Sequence, residues 1–187
     1  MRVISGRAKG HRLSMVPGQK TRPIMDRIKE NLFNLLGPHA APGTRWLDLF
    51  AGTGQVGIEA LSRGATEAVF LDTARAAIKT IHANLSSTRL AEGATVLRKD
   101  ALAYLRAAGF APFDYIFVAP PQYRSIWSEV LNILDEDPAR YLKPGGLVLV
   151  QIDPREFEEL ELKKLHLVDS RTYGNTMLCF YQGSDRD

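Results

Sequence analysis

Cysteine is almost missing from this 187-residue chain, with Cys179 standing alone. A single cysteine excludes an internal disulfide and any zinc site built from cysteine pairs. Histidine is scarce as well: the four at positions 11, 39, 82 and 166 lack ligand spacing, so no metal is expected. No apolar run approaches the roughly 18 residues needed to cross a bilayer. The N-terminus, Met1-Arg2-Val3-Ile4-Ser5-Gly6-Arg7, has no apolar stretch of the secretory kind and reads as mature protein. A reducing, cytoplasmic setting away from membranes is expected. What remains is ordinary for a folded domain, 45% hydrophobic and 24% charged. The length suits one domain with a short appendage.

The net charge of +3 is unevenly spread. Residues 1–30 hold eight basic residues (Arg2, Arg7, Lys9, Arg12, Lys20, Arg22, Arg27, Lys29) against two acidic ones, Asp26 and Glu30, or +6. The other 157 residues hold 16 basic against 19 acidic, or −3. A basic arm on a mildly acidic body suits a polyanionic partner, because each phosphate contact releases counterions. A merely solvated basic face accounts for the same composition, and charge alone does not separate the two.

Short alternating runs at 2–5 and 11–16, punctuated by Gly6, Gly10 and Pro17-Gly18, suggest a small N-terminal hairpin. From Pro23, apolar residues at 28, 32, 33, 35 and 36 mark a helix that Gly37-Pro38 stops. Apolar strands and helices then alternate: strands at 46–50, 68–71, 95–97, 115–118 and 147–150, helices at 55–63, 73–86, 101–108 and 125–141. Such alternation means an α/β fold with a parallel sheet buried on both faces. Two further strand candidates, 162–168 and 176–181, have no helix between them and predict an antiparallel hairpin on one sheet edge. Trp46 and Trp127 are expected in the core.

An open sheet of this kind takes its ligand beyond the carboxyl ends of its strands. The first strand runs into Asp48-Leu49-Phe50-Ala51-Gly52-Thr53-Gly54. Gly52 and Gly54 let the backbone bend sharply and approach a ligand, and the next helix starts immediately. The spacing Gly52-x-Gly54-x-x-Gly57 also fits a pyrophosphate turn. A carboxylate at Asp48 would repel phosphate, whereas a cationic aminoacyl end without phosphate suits it. S-adenosylmethionine is such a cofactor. Asp72, after the second strand, is placed for ribose hydroxyls, and Asp100, after the third, for an adenine amine. Any one of these acids could instead cap a helix. Phe50, Ala51, Thr73 and Ala101 are expected to line the same cradle.

The segments Val3-Ile4-Ser5-Gly6, Arg22-Pro23, Asp26-Arg27-Ile28-Lys29-Glu30-Asn31-Leu32-Phe33-Asn34 and Asp48 to Gly54 together resemble the RsmD family. So does Gly57-Ile58-Glu59-Ala60-Leu61-Ser62-Arg63-Gly64-Ala65, and the likeness runs along nearly the whole chain in order. The resemblance implies a class I, Rossmann-like methyltransferase domain (21–187) with a mostly parallel seven-stranded sheet, preceded by a basic hairpin extension (1–20). It implies methylation of a guanine N2 amine in 16S ribosomal RNA, with 16S rRNA or the assembling 30S subunit as partner. Arg2, Arg7, Lys9, Arg12 and Arg22 are then expected to contact RNA. A monomer is expected. Arg22 and Asp26 belong near the pocket or, alternatively, stabilise a helix N-terminus.

Members of that family carry Asp or Asn, two prolines and an aromatic after the fourth strand. This chain has Val118-Ala119-Pro120-Pro121-Gln122-Tyr123. The resemblance assigns the catalytic role to Ala119, Pro120, Pro121 and Tyr123. Backbone carbonyls at 119 and 120 orient the amine, the prolines stiffen the loop, and Tyr123 stacks on a base turned out of its helix. Ala119 has no side-chain acceptor. That absence keeps two alternatives in view: an amino-methyltransferase acting on DNA or another RNA, and a catalytically weakened ribosome-assembly factor that binds cofactor and RNA.

Overall fold

The computed structural model describes residues 1–18, 24–107 and 109–184, so Lys20, Arg22 and Pro23 lie outside it. Two compact units divide the chain, Met1–Asp100 and Ala101–Asp187.

In the first unit α1 (Asp26–Leu36) precedes β1 (Arg45–Asp48), α2 (Gln55–Ser62), β2 (Glu67–Asp72), α3 (Arg75–Thr88) and β3 (Ala94–Arg98). The strands run parallel, with β2 between β1 and β3. Ala68 to Leu71 are wholly buried, which is why that run is apolar without alternation. One face of α3 is buried through Ala77, Thr80, Ile81, Asn84, Leu85 and Thr88, at helical spacing. Helix α2 is buried on every side. A Cβ on Gly57 would lie 2.3 Å from Phe70 Cε1, so glycine there sets how closely the helix approaches β2.

The basic N-terminal segment forms one antiparallel bridge, Arg2 with Arg12, rather than a ladder. Val3 N–H donates to His11 O at 2.9 Å and Gly10 N–H to Val3 O at 2.8 Å. The segment is fastened to α2. Ile4 and Ser5 N–H donate to the Glu59 carboxylate at 2.8 and 3.0 Å, and Ala8 N–H donates to Ser62 Oγ at 2.9 Å. Gly6 lies so close that a Cβ would fall 1.9 Å from Ser62 O. Lys29, counted above with the basic residues, is fully buried: its Nζ lies 3.2 Å from Glu59 Oε2 and donates to Arg2 O at 2.6 Å.

The second unit contains α4 (Ala101–Arg106), β4 (Phe113–Val118), α5 (Ile126–Glu136), α6 (Pro138–Tyr141), β5 (Leu142–Ile152), β6 (Leu165–Tyr173) and β7 (Thr176–Gly183). Strands β4 and β5 are parallel, and β7 lies antiparallel between β5 and β6. The antiparallel tail hairpin is therefore present. The mostly helical stretch 125–141 is made of two helices, because Asp137 precedes Pro138 and is held at φ −152°, outside the helical region. Two expectations need correcting. Pro144-Gly145-Gly146 lies within β5 as an irregularity, with pairing shifting from Phe113↔Leu142 to Tyr115↔Leu147. Strand β6 starts at Leu165 rather than 162, where Lys163, Lys164 and Leu165 N–H all donate to the buried Asp135 carboxylate at 2.7–2.8 Å. Trp46 and Trp127 are core residues, each 1% exposed.

Candidate functional site

Strand β1 delivers Asp48 into the interior, and the chain then turns back toward β2. Ala51 N–H donates to Leu71 O at 2.8 Å, and Gly52 N–H donates to Asp72 Oδ2 at 2.9 Å. Gly52 and Gly54 adopt φ +53° and +78°, which other L-residues rarely do, and Gly54 caps α2. A Cβ at Gly52 would meet no atom of the described residues within 4 Å, so none of them fills the space beside the turn on that side. The second oxygen of Asp72 accepts Ala74 N–H at 2.8 Å. Asp72 thus ties the glycine turn to the start of α3, and as a half-exposed carboxylate it keeps lone pairs for further donors.

Asp48 is 3% exposed. Burial pushes its carboxyl up to about 7, the charge of Asp72 adds to the rise, and the Phe50 and Gly57 N–H groups oppose it. Its Oδ1 atom is buried without a hydrogen-bond partner among the described residues. Such an oxygen calls for a donor, and a cationic donor would restore the charge that burial suppresses. This acceptor thus fits a cofactor with a cationic aminoacyl end. Phe50 is half-buried, Ala51 buried and Thr73 exposed; the Thr73 carbonyl accepts from Arg98 Nε at 3.0 Å. Asp48 and Asp72 are brought within electrostatic reach of each other. Asp100 is exposed beyond β3, and Ala101 is a buried first residue of α4.

Sequence reasoning missed the side chains that brace this turn. Asn84, 1% exposed on α3, donates to Thr53 O at 2.9 Å and to Ser14 O at 3.1 Å, and accepts from Ser14 N–H at 2.7 Å. The glycine turn and the N-terminal segment are thereby joined through one amide. Gln55 Nε2 donates to Ile24 O at 3.0 Å while its Oε1 is buried without a partner among the described residues. The only available signal was a polar residue recurring on an apolar helical face.

Among the RNA-contact candidates, Arg7, Lys9 and Arg12 are exposed and form no ion pair among the described residues. Arg2 is exposed but occupied: its N–H donates to Asp26 Oδ1 at 3.1 Å and its Nε lies 3.9 Å from Asp26 Oδ2. Asp26 therefore pairs with the N-terminal segment, and Arg22 lies outside the described residues.

In the second unit, Ala119 and Pro120 are half-buried after β4, and Pro121, Gln122 and Tyr123 are exposed. Tyr123 has φ +59°, a left-handed conformation costing a bulky residue about 1–2 kcal/mol. Its hydroxyl donates to Asp153 Oδ2 at 2.8 Å and accepts from Arg155 Nη2 at 2.6 Å, and its N–H donates to Glu156 Oε1. These partners form the short turn Pro154–Glu156 after β5, where Asp153 and Glu156 make a reciprocal capping box. Hydrogen bonds from the Arg155 side chain and N–H, then from Tyr123, hold the Asp153 carboxyl far below the usual range. The bond to Asp153 in turn raises the Tyr123 phenol. Asp153, Arg155 and Glu156 carried no local signal in the sequence. Among the described residues no cluster of His, Cys, Asp and Glu could hold a metal, and no helix is long and apolar enough to cross a membrane.

A family model described as "Conserved hypothetical protein 95" matches residues 1–182. The Bacillus subtilis (strain 168) protein named "Putative rRNA methyltransferase YlbH" is 40% identical over 185 residues, 97% of this chain and 98% of that protein. "Ribosomal RNA small subunit methyltransferase D" of Haemophilus influenzae is 32% identical over 184 residues, 94% of each chain. The solved structure "Putative methyltransferase yhhF from Escherichia coli" superposes with a TM-score of 0.83 at 32% identity, covering 100% of this chain and 99% of that one.

Proposed function

This chain belongs to the RsmD family of rRNA methyltransferases, and from that premise we propose that it methylates a guanine N2 amine of 16S rRNA. Its fold is the class I methyltransferase fold. The observation that carries the cofactor assignment is Asp48: among the described residues, a buried carboxyl with an unpartnered oxygen, at a glycine turn whose open side none of those residues fills. S-adenosylmethionine, when bound, supplies a methyl group activated by its positively charged sulfur.

The chain's own residues bind, orient and exclude. Asp48 takes the cofactor's ammonium, Asp72 its ribose hydroxyls and Asp100 its adenine amine. The glycines at 52 and 54 keep side chains out of the cofactor's path, with Phe50, Ala51, Thr73 and Ala101 lining it. A guanine amine is a poor nucleophile because its lone pair is delocalised into the ring. The Ala119 and Pro120 carbonyls would accept its N–H groups and orient its lone pair, and water or a loop oxygen would take the released proton. Pro121 stiffens the loop and Tyr123 stacks on the base. Arg2, Arg7, Lys9 and Arg12 hold phosphates of 16S rRNA or the assembling 30S subunit, with Arg22 assigned the same role on sequence alone. We assign a cytoplasmic monomer.

Mass spectrometry of 16S rRNA from cells lacking the gene tests this directly. One N2-methylguanine should disappear; an unchanged modification profile would remove the assignment. Ala119 favours a second reading, a cofactor- and RNA-binding assembly factor with weak transfer. Ala119→Asp separates the two. For a working enzyme short of one acceptor, the rate on 30S subunits should rise by up to about 10²–10³-fold. A factor that has lost the chemistry should gain nothing.

A further inference from the structure

Exposed loop side chains usually turn freely, but Tyr123 is fastened at three points. Glu156 takes its backbone N–H, while Asp153 and Arg155 take its hydroxyl. The Arg155 guanidinium also lies 5.7 Å from the ring centroid. These partners are themselves immobilised, since Arg155 donates to Asp153 through Nε, Nη2 and its own N–H at 2.8–3.0 Å. A left-handed backbone at a bulky residue persists only where its surroundings over-determine it, and such strain concentrates at ligand sites. Joining the loop to the end of β5 would need only the bond from Glu156 to the backbone. The two further bonds act on the phenol oxygen, at the far end of the ring, and they fix the ring's plane. Tyr123 nevertheless remains 59% exposed as a residue.

We propose that Asp153, Arg155 and Glu156 are positioning residues that hold Tyr123 as a fixed stacking surface for an unpaired RNA base. The clamp lets the residue one place past the family's usual aromatic position take over its role, with Gln122 left at that position. The inference rests on the proposed RNA substrate. Stacking accepts any base, since every base offers a π-face. Tyr123 therefore sets orientation, not base identity.

Two assays on the full chain test it. In the first, Tyr123→Phe, Asp153→Asn and the double variant are compared for transfer to undermethylated 30S subunits, with cofactor affinity measured by calorimetry. Each single variant should lower kcat about tenfold, because misplacing a positioning group costs up to about a hundredfold. Cofactor affinity should be unchanged and the double variant no worse than the worse single one. Wild-type kcat in both single variants, or losses that multiply, would overturn the proposal. In the second assay, a single-stranded RNA carrying 2-aminopurine is titrated with protein. Wild type should quench its fluorescence, Tyr123→Ala should not, and Asp153→Asn should fall between. Quenching unaffected by Tyr123→Ala would overturn the proposal. Quenching that depends on Tyr123 without transfer to any 30S RNA would uphold the clamp and remove only the substrate assignment.

Discussion

Replacing Asp48 with Asn should push the free protein and its cofactor complex in opposite directions. Moving a carboxyl from 3.8 to about 7 means that the folded protein disfavours the ionised form by about 4 kcal/mol, at about 1.4 kcal/mol per pH unit. The folded state keeps this proton up to about pH 7, whereas the unfolded chain releases it above about 4. Between those limits the unfolded state binds fewer protons, so this group's contribution to stability falls as pH rises and is flat on either side. Asn is a neutral isostere. Asp48→Asn should therefore stabilise the free protein at pH 8 by on the order of 1–4 kcal/mol and change little at pH 4. Urea denaturation at the two pH values reads this difference.

The complex should respond the other way. A hydrogen bond to a charged group is worth about 1.5–3 kcal/mol, so the variant should bind S-adenosylhomocysteine, which keeps the aminoacyl end, about ten- to hundredfold more weakly. In wild type the dissociation constant should fall up to about tenfold per pH unit as pH rises toward 7, where Asp48 becomes ionised, and the variant should lack this limb. Calorimetry from pH 5.5 to 7.5 provides the check. Unchanged affinity in the variant together with a flat wild-type profile would refute Asp48 as the ammonium partner. A residue needed only for folding would not stabilise the free protein while weakening the complex.

Gly57→Ala places a methyl 2.3 Å from Phe70 Cε1 and should destabilise the protein by about 1–3 kcal/mol in urea denaturation. Gly52→Ala meets no atom of the described residues but must hold φ +53°; it should lose about 1 kcal/mol of stability, and, if the proposed cofactor site is right, a larger loss in cofactor affinity. Glu59→Ala leaves the buried Lys29 ammonium without its carboxylate and frees the N–H groups of Ile4 and Ser5, so chemical denaturation should show a loss of about 3–5 kcal/mol. The triple variant Arg7→Ala, Lys9→Ala, Arg12→Ala should reduce the salt slope of rRNA binding by about three, roughly one per residue, with cofactor affinity untouched. An unchanged slope would mean that the exposed basic segment faces solvent only.

The elements were legible because their signal repeats. Ala77, Ile81 and Leu85 mark one face of α3, and the apolar Tyr115-Ile116-Phe117-Val118 marks a strand covered on both sides. The glycine turn was legible because its requirements are local: a sharp bend and an immediate helix. What stayed hidden depends on single residues meeting across long separations. Lys29 adds to any count of positive charge, yet Glu59, 30 residues later, receives it inside the protein. Nothing in Asp153-Pro154-Arg155-Glu156 points back to Tyr123, because a capping turn needs those residue types for its own N–H groups. The loop shows the limit most sharply. The sequence displays both that Ala119 lacks an acceptor and that the aromatic sits one residue late, and read locally both are defects. The strained, clamped backbone at Tyr123 separates them: the late aromatic has partners that fix its orientation, whereas a methyl group at 119 offers nothing for a neighbour to orient. If transfer is slow, the physical cause therefore lies at Ala119 and not at Tyr123.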